Sequence, residues 1–316
     1  MSAWLSVIGI GEEGLDGLSG PARALVEGAE VLVGGERHLA LVPETAAERL
    51  PWRQPLGDTI ALIEERRGRH VVVLASGDPL HFGVASLLAR HFAAGEIAVL
   101  PHLSAFSLAA SRLLWPLEEC IALSLHARPL DALRLHLAPG ARILALSGDG
   151  DTPVQVAELL RDSGWGPSAM TVFAHMGGPR ERRIDGIAES WPLGRIAALN
   201  TIALDCRPGP RTRPLSRLAG LPDDAFEHDG QLTKREVRAA TLARLVPLPG
   251  HWPPNGSRET FVIVAASAPP VHALPVVPSA SVARFLRSGR SVVLTDDHAP
   301  VDQLLAPVFG QSLALR

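Results

Sequence analysis

Apolar runs rich in Val, Ile and Leu alternate with segments of helical periodicity over the first 206 residues. This alternation is typical of an α/β protein with mostly parallel sheets. Strands are predicted at residues 4–10, 30–33, 70–75, 96–100, 120–125, 142–147, 170–174 and 201–205. Helices are predicted between them, at residues 21–27, 59–66, 82–92, 105–114 and 152–162.

Trp115-Pro116 interrupts this pattern and divides residues 1–206 into two predicted subdomains, about 1–116 and 117–206. Residues 207–228 are rich in proline and arginine, which predicts a linker. A short cap and an amphipathic helix are predicted within 229–249. Beyond residue 250 the pattern weakens to one strand near 260–265 and one helix near 281–287, an irregular C-terminal extension.

The charge and composition of the chain exclude several classes of partner and site. The chain carries a net charge of −3 and no long basic run, so nucleic acid is not an expected partner. Cys120 and Cys206 form no disulfide framework, and the 12 histidines lack metal-ligand spacing, so no metal site is predicted. The sequence contains no run long and apolar enough to span a membrane and no signal-peptide pattern, which makes a cytoplasmic location the expectation.

The first candidate motif, GIGEEG at residues 9–14, follows a predicted strand and matches G-x-G-x-x-G. Glu36 lies where a ribose-binding acid would follow in a dinucleotide site. However, Glu12, Glu13 and Asp16 would place negative charges beside a pyrophosphate, so the loop favours a neutral or cationic ligand such as a sulfonium. A tight turn without a ligand is the alternative.

Two further candidate loops follow predicted strands, ASGDPLHFG at 75–83 and PHLSAFS at 101–107. Open α/β sheets bind ligands at the carboxyl ends of their strands, which favours a ligand site here. Asp78 is also a candidate helix N-cap, and Ser104 could simply begin a helix. Each loop alone leaves both interpretations open.

Together these loops resemble the tetrapyrrole methylase family. The resemblance continues through SLHARPL (124–130), ALSGDGDTPVQVAELL (145–160), VFAHMGGPRERRI (172–184) and LNTIALDC (199–206), and it covers residues 4–206. Within the family, these segments are most similar to the C5-methylating half of enzymes that methylate a precorrin at C5 and C15.

The resemblance implies a two-subdomain α/β fold, a homodimer, and S-adenosylmethionine bound in the cleft between the subdomains. The residues that it assigns to the cofactor are Gly11, Ser76, Gly77, Asp78, His81, Ser104, Ala105, Leu146 and Met176. One segment departs from the family, since Ala174-His175-Met176 stands where relatives often have Glu-Asn-Leu or Glu-Arg-Leu.

Methyl transfer from a sulfonium depends chiefly on alignment, with a base assisting proton loss. Asp78, His102 and His126 are the candidates for positioning or proton transfer. A precorrin carries many carboxylates, which suit the planar fork of arginine. The candidate anchors are Arg128, Arg180, Arg182 and Arg183, although a solvated loop is the alternative for the last three.

Residues 229–238 (DGQLTKREVR) are similar to the segment that opens a second methyltransferase domain in the bifunctional relatives, which methylates C15 and decarboxylates. That domain should continue with a D-x-G-x-G-x-G loop, and residues 250–316 contain none. Residues 229–316 are therefore predicted to be a remnant or an altered start of that second domain. The predicted function is therefore C5 methylation of a late precorrin of the precorrin-6Y or precorrin-7 type, with the second activity lost. The alternatives are another tetrapyrrole C-methyltransferase, a nicotinamide-dependent oxidoreductase built on GIGEEG, or an interaction protein with a decayed site.

Overall fold

The structure is a computed structural model, which describes residues 3–192, 194–210, 212, 214, 220–223, 234–245, 263–264, 282–284 and 291–295. The chain divides into two compact units. One contains residues 1–130 and 139–212, and the other contains residues 131–138 and 213–316.

The first unit begins with a five-stranded, all-parallel sheet in the order β3-β2-β4-β1-β5. Its elements in chain order are β1 (Leu5–Ile10), α1 (Gly20–Glu27), β2 (Val31–Gly34), α2 (Glu36–Ala40), β3 (Glu48–Pro51), α3 (Leu56–Glu64), β4 (Val71–Ser76), α4 (Ala85–Leu88) and β5 (Ile97–Leu100). Alternate strand residues bury on opposite faces: Val7 packs in the cluster that contains Ile63 of α3, and Ile8 packs in the cluster that contains Val26 of α1. Burial on both faces explains why these strands are continuous apolar runs rather than alternating ones.

The same unit contains a second sheet in the order β6-β7-β10-β8-β9. Its elements are α5 (Ala105–Leu113), β6 (Cys120–Ser124), β7 (Arg142–Leu146), α6 (Thr152–Asp162), β8 (Ala169–Ala174), β9 (Arg182–Ile187) and β10 (Asn200–Asp205). Phe106 of α5 packs in one cluster with Leu144, Phe173 and Ala203 from the three central strands. Only β6 and β7 pair in parallel, and the other three pairings are antiparallel. The prediction of mostly parallel sheets therefore holds for the first sheet and is wrong for the second.

Short 3-10 turns occur at Gly14–Gly17, Leu117–Glu119, Leu130–His136 and Ala188–Ser190. The helix predicted at 82–92 is wrong over most of its length, because only Ala85–Leu88 is α-helical. Phe82 has a left-handed backbone, with φ of 58°, which a continuous helix cannot contain. Strands β3 and β9 and helix α2 were not predicted.

In the second unit, the described α-helix is α7 (Arg235–Leu245), and the described strands are β11 (Ile263–Val264), β12 (Val282–Arg284) and β13 (Ser291–Thr295). Helix α7 lies within the predicted helical region, and β11 lies within the predicted strand. The helix predicted at 281–287 is wrong at 282–284, which pair antiparallel with the apolar strand β13. Among the described helices of the whole chain, none is both long and apolar enough to cross a bilayer.

Candidate active site

The carboxyl ends of β1, β4 and β5 meet at one edge of the first sheet, as the sequence predicts. Ile10 is in register with Ser76, and the amide of His102 donates to the carbonyl of Gly77 at 3.1 Å. A side chain at Gly9 would place its Cβ 1.8 Å from the Gly77 oxygen, so only glycine permits this approach. Gly77 itself has a φ of 55°, and its missing Cβ leaves room for the backbone at Ser104.

A cavity of about 380 Å³ lies at this edge, within the range of small-molecule sites. The second sheet contributes a row of registered residues to its wall, Leu146, Thr201 and Phe173. All of the residues assigned to the cofactor by resemblance line it, and so does His126: Gly11, Ser76, Gly77, Asp78, His81, Ser104, Ala105, Leu146 and Met176.

Asp78 presents a carboxylate to this cavity. One of its oxygens, Oδ1, accepts a hydrogen bond from the amide of Leu80 at 2.9 Å. The other oxygen makes no hydrogen bond to any described residue. Since the nearest α-helix begins at Ala85, Asp78 forms a local turn rather than the helix N-cap that was the alternative.

Glu12 is the most buried carboxylate of the site, with a side chain that is 9% exposed. Arg37 donates to Oε1 at 2.5 Å, while Oε2 lies 2.9 Å from Nδ1 of His175 and 3.5 Å from Nη2 of Arg180. Burial raises the pKa of Glu12, but the hydrogen bond with His175 and the Arg37 guanidinium outweigh it and lower the pKa overall. Glu12 therefore connects the loop after β1 to α2 and to the loop after β8.

Beside it, Arg37 and His38 of α2 meet Ser76 of β4. Arg37 Nη2 lies 2.8 Å from both Nε2 of His38 and Oγ of Ser76, and His38 Nε2 lies 2.9 Å from the same Oγ. Burial of the imidazole and the neighbouring Arg37 cation lower the pKa of His38 to about 4, against a smaller opposing effect of Glu12. A neutral Nε2 accepts hydrogen bonds from Arg37 and Ser76, which agrees with this direction.

The low pKa of His38 predicts a pH-dependent stability. Between pH 6.5 and about 4 the unfolded chain binds a proton at this histidine that the folded chain does not, so the free energy of unfolding falls as the pH is lowered through that window. Over pH 7 to 5 we expect the parent protein to lose about 2 kcal/mol more than His38→Gln in urea denaturation. The exposed His91, changed to Gln, is the matched control. Equal pH slopes for the parent and His38→Gln would contradict the prediction.

The remaining predicted residues lie outside the cavity wall. The ring of His102 points to the 3-10 turn after β1, where Nε2 is 2.9 Å from the carbonyl oxygen of Gly17, so the structure does not support a catalytic role. Arg180 is bound to Glu12, and Arg183 is bound to Asp185 with Nε 2.8 Å from Oδ2.

The other two predicted anchors, Arg182 and Arg128, are exposed. Arg182 lies on the edge strand β9, away from the cavity wall. Arg128 lies over the ring of Phe82, 5.2 Å from its centroid, at the border of the cavity. The arginine that does line the cavity is Arg37, which was not predicted, although GGERHL directly after a strand was the available signal.

The loop geometry argues against a dinucleotide site. Residues Gly14–Gly17 form a 3-10 turn, and α1 begins only at Gly20, capped by the hydroxyl of Ser19. The motif therefore lacks the helix N-terminus on which a pyrophosphate would bind. Its acidic residues do not supply free charge to the cavity either, since Glu12 is the only one that lines it and is paired.

A family model described as Tetrapyrrole (Corrin/Porphyrin) Methylases matches residues 5–190. The chain belongs to the tetrapyrrole methylase family. A second model, the Precorrin methyltransferase domain, matches residues 224–252, which include the DGQLTKREVR segment. The tetrapyrrole methylase resemblance inferred from the loops is thus confirmed.

Two similar relatives are named precorrin-6Y C(5,15)-methyltransferase [decarboxylating]. The relative from Sinorhizobium sp is 47% identical over 266 residues, which are 83% of this tetrapyrrole methylase and 64% of the relative. The relative from Mycobacterium tuberculosis (strain CDC 1551 / Oshkosh) is 41% identical over 249 residues, 77% of this chain and 61% of the relative. The chain therefore spans less than two-thirds of the length of these relatives, although the first alignment extends beyond residues 1–206.

Among solved structures, the methyltransferase CobJ is 23% identical with a TM-score of 0.54, and the match covers 67% of this chain and 98% of that one. At this identity the match shows the fold alone. It confirms the predicted α/β fold.

Proposed function

We propose that residues 1–206 transfer a methyl group from S-adenosylmethionine to C5 of a late precorrin, of the precorrin-6Y or precorrin-7 type. The single observation that carries the proposal is that all of the cofactor residues expected by resemblance line one cavity in a chain of this family. The names of the relatives in Sinorhizobium and Mycobacterium support a precorrin as the substrate.

The residues of the cavity fit such a methyl donor. The absent Cβ of Gly77 lets the loop after β4 pack against the backbone at Ser104, which brings both loops to the cavity, and the apolar side chains of Leu146 and Met176 suit an adenosine moiety. The free oxygen of Asp78 offers negative charge to a cationic ligand, which is the role that Glu12 cannot fill because it is already paired.

When bound, S-adenosylmethionine supplies an electrophilic methyl group, whose bond to sulfur breaks with its electron pair left on sulfur as the new carbon–carbon bond forms. The chain's residues would align the substrate carbon with that methyl group and exclude water. Asp78 and His126, which both line the cavity, are the candidates to accept the proton that the substrate loses.

Residues 1–206 account for one methyl transfer, and the D-x-G-x-G-x-G motif expected for the second does not occur in residues 250–316. We therefore expect one methyl group per substrate from the chain. The test is incubation of the full chain with a late precorrin and S-adenosylmethionine, followed by mass analysis and NMR location of the methyl group. A methyl group at C5 without loss of carbon dioxide supports the proposal.

The other outcomes of this experiment are equally informative. Two methyl groups with loss of carbon dioxide would overturn the single transfer, and methylation at another carbon would point to a different tetrapyrrole C-methyltransferase. Binding of S-adenosylhomocysteine without turnover would favour a decayed site. The homodimer and the cytoplasmic location implied at the sequence level also remain proposals, and sedimentation velocity tests the first.

A further inference from the structure

Three of the four non-glycine residues with a left-handed backbone in the described chain lie on loops that reach the cavity. They are Phe82 (φ 58°), Ala127 (φ 52°) and His175 (φ 51°), and the fourth is Leu114 (φ 54°) after α5. Such a conformation is costly for a residue with a Cβ, most of all for a bulky one, and it concentrates at functional sites. Phe82 therefore needs an explanation.

Burial in the core does not account for the left-handed backbone of Phe82, because its side chain remains 41% exposed. Its ring lies against His81, with centroids 5.1 Å apart, and is positioned at the cavity wall. One edge of it meets Phe106, with centroids 5.9 Å apart, and Arg128 lies over it, with the guanidinium carbon 5.2 Å from the ring centroid. The strained backbone thus places an aromatic ring beneath a cation.

Arg128 differs from the paired arginines around it. Arg37 and Arg180 contact Glu12, and Arg183 contacts Asp185, whereas Arg128 makes no hydrogen bond or ion pair with any described residue. A guanidinium stacked on an aromatic ring keeps its in-plane N–H donors available. The left-handed Ala127 lies directly between the cavity-lining His126 and this arginine.

We propose that Phe82 positions Arg128 to bind a peripheral carboxylate of the tetrapyrrole at the border of the cavity. Arg128 is the binding residue and Phe82 is the positioning residue, which holds the guanidinium flat so that two parallel N–H groups face the carboxylate. This inference rests on the proposed function, because it assigns part of the substrate site of the same reaction.

The test is a double-mutant cycle on the full chain with Phe82→Asn, Arg128→Gln and the double variant. Asparagine tolerates the left-handed backbone and removes the ring. We expect each single change to raise the KM for the precorrin about tenfold with little change in kcat, and we expect Arg128→Gln to leave the Kd for S-adenosylhomocysteine unchanged, because Arg128 lies outside the cavity wall. If Phe82 acts through Arg128, the double variant will be no worse than Arg128→Gln alone. Phe82→Tyr, which keeps the flat ring, should restore the parental KM.

Leu114→Asn is the matched control, because Leu114 has the same backbone conformation and is 89% exposed but lies away from the cavity wall. It should leave both the KM and the Kd unchanged. Single effects that multiply in the double variant, or an unchanged KM in Phe82→Asn, would overturn the inference. A parent protein that methylates no precorrin would instead refute the proposed function. Failure of the inference about Phe82 and Arg128 can therefore be distinguished from failure of the proposed function.

Discussion

Asp78→Ala is expected to lower kcat/KM for precorrin methylation about 100-fold, the lower end of what a positioned proton-transfer group contributes. Asp78 lines the cavity beside Gly77, and one of its carboxylate oxygens is free of hydrogen bonds to described residues. Its stabilising contact is a single hydrogen bond from the amide of Leu80, so we expect the unfolding free energy to fall by only about 1 kcal/mol. Steady-state kinetics and urea denaturation of the same preparation measure both quantities.

The variant Asp78→Asn distinguishes the role of the negative charge from the role of Asp78 in forming the turn. Its amide oxygen can still accept the hydrogen bond from Leu80, so the loop is retained while the negative charge is lost. If both variants lose activity, the charge is required for turnover or for binding the sulfonium, and titration with S-adenosylmethionine itself, in the absence of the precorrin, distinguishes these two. Parental kinetics in Asp78→Asn would reduce Asp78 to a turn-forming residue.

The loops of the first sheet were predictable because parallel strands end at a common edge. Three apolar strands followed by glycine or small residues therefore place Gly11, Gly77 and Ser104 together, wherever the rest of the chain goes. The second sheet was predicted less well. Four of its five strands were predicted, but apolar runs do not distinguish parallel from antiparallel pairing.

The elements that were missed carry polar sequences. Strand β3 is Glu-Arg-Leu-Pro, and β9 is Arg-Arg-Ile-Asp-Gly-Ile, with one buried residue in each. Both are edge strands, where charged residues and proline are expected, so neither shows the apolar pattern that identifies a central strand. Helix α2 spans only five residues, Glu36–Ala40, too few for a helical period, and Arg37 and His38 were missed with it.

Contacts between residues that are far apart in the sequence could not be predicted from it either. Glu12 was expected to give a free acidic charge, yet it meets Arg37 and the ring of His175, which is 163 positions away. This contact gives a structural role to His175 in the segment Ala174-His175-Met176, which departs from the family pattern. His175 adopts a left-handed conformation, with φ of 51°, and its ring then reaches Glu12.

Glu12→Ala is expected to destabilise the fold by about 2 kcal/mol, because it removes charge-assisted hydrogen bonds to a buried carboxylate and leaves a half-buried cation without its counter-charge. Glu12 is 9% exposed, and the cation left behind, Arg37, is only 34% exposed and lies on the cavity wall. We also expect S-adenosylhomocysteine to bind at least tenfold more weakly, since Glu12 fixes α2 against the loop after β8. Urea denaturation and equilibrium titration at pH 7 measure the two effects.

The pH dependence of the free energy of unfolding tests whether the charge of Glu12 causes this stabilisation. Because the pKa of Glu12 is lowered by folding, its stabilisation is present at neutral pH and is lost as the pH falls below about 4.5, the ordinary value of such a group. The stability difference between the parent and Glu12→Gln should therefore shrink towards acidic pH. Asp16→Asn is the matched control, since Asp16 is 90% exposed and its pairing with Arg23 is a surface contact that contributes little. A Glu12→Ala protein as stable as Asp16→Asn would contradict the prediction, because it would mean that the loop after β1, α2 and the loop after β8 keep their places without this carboxylate.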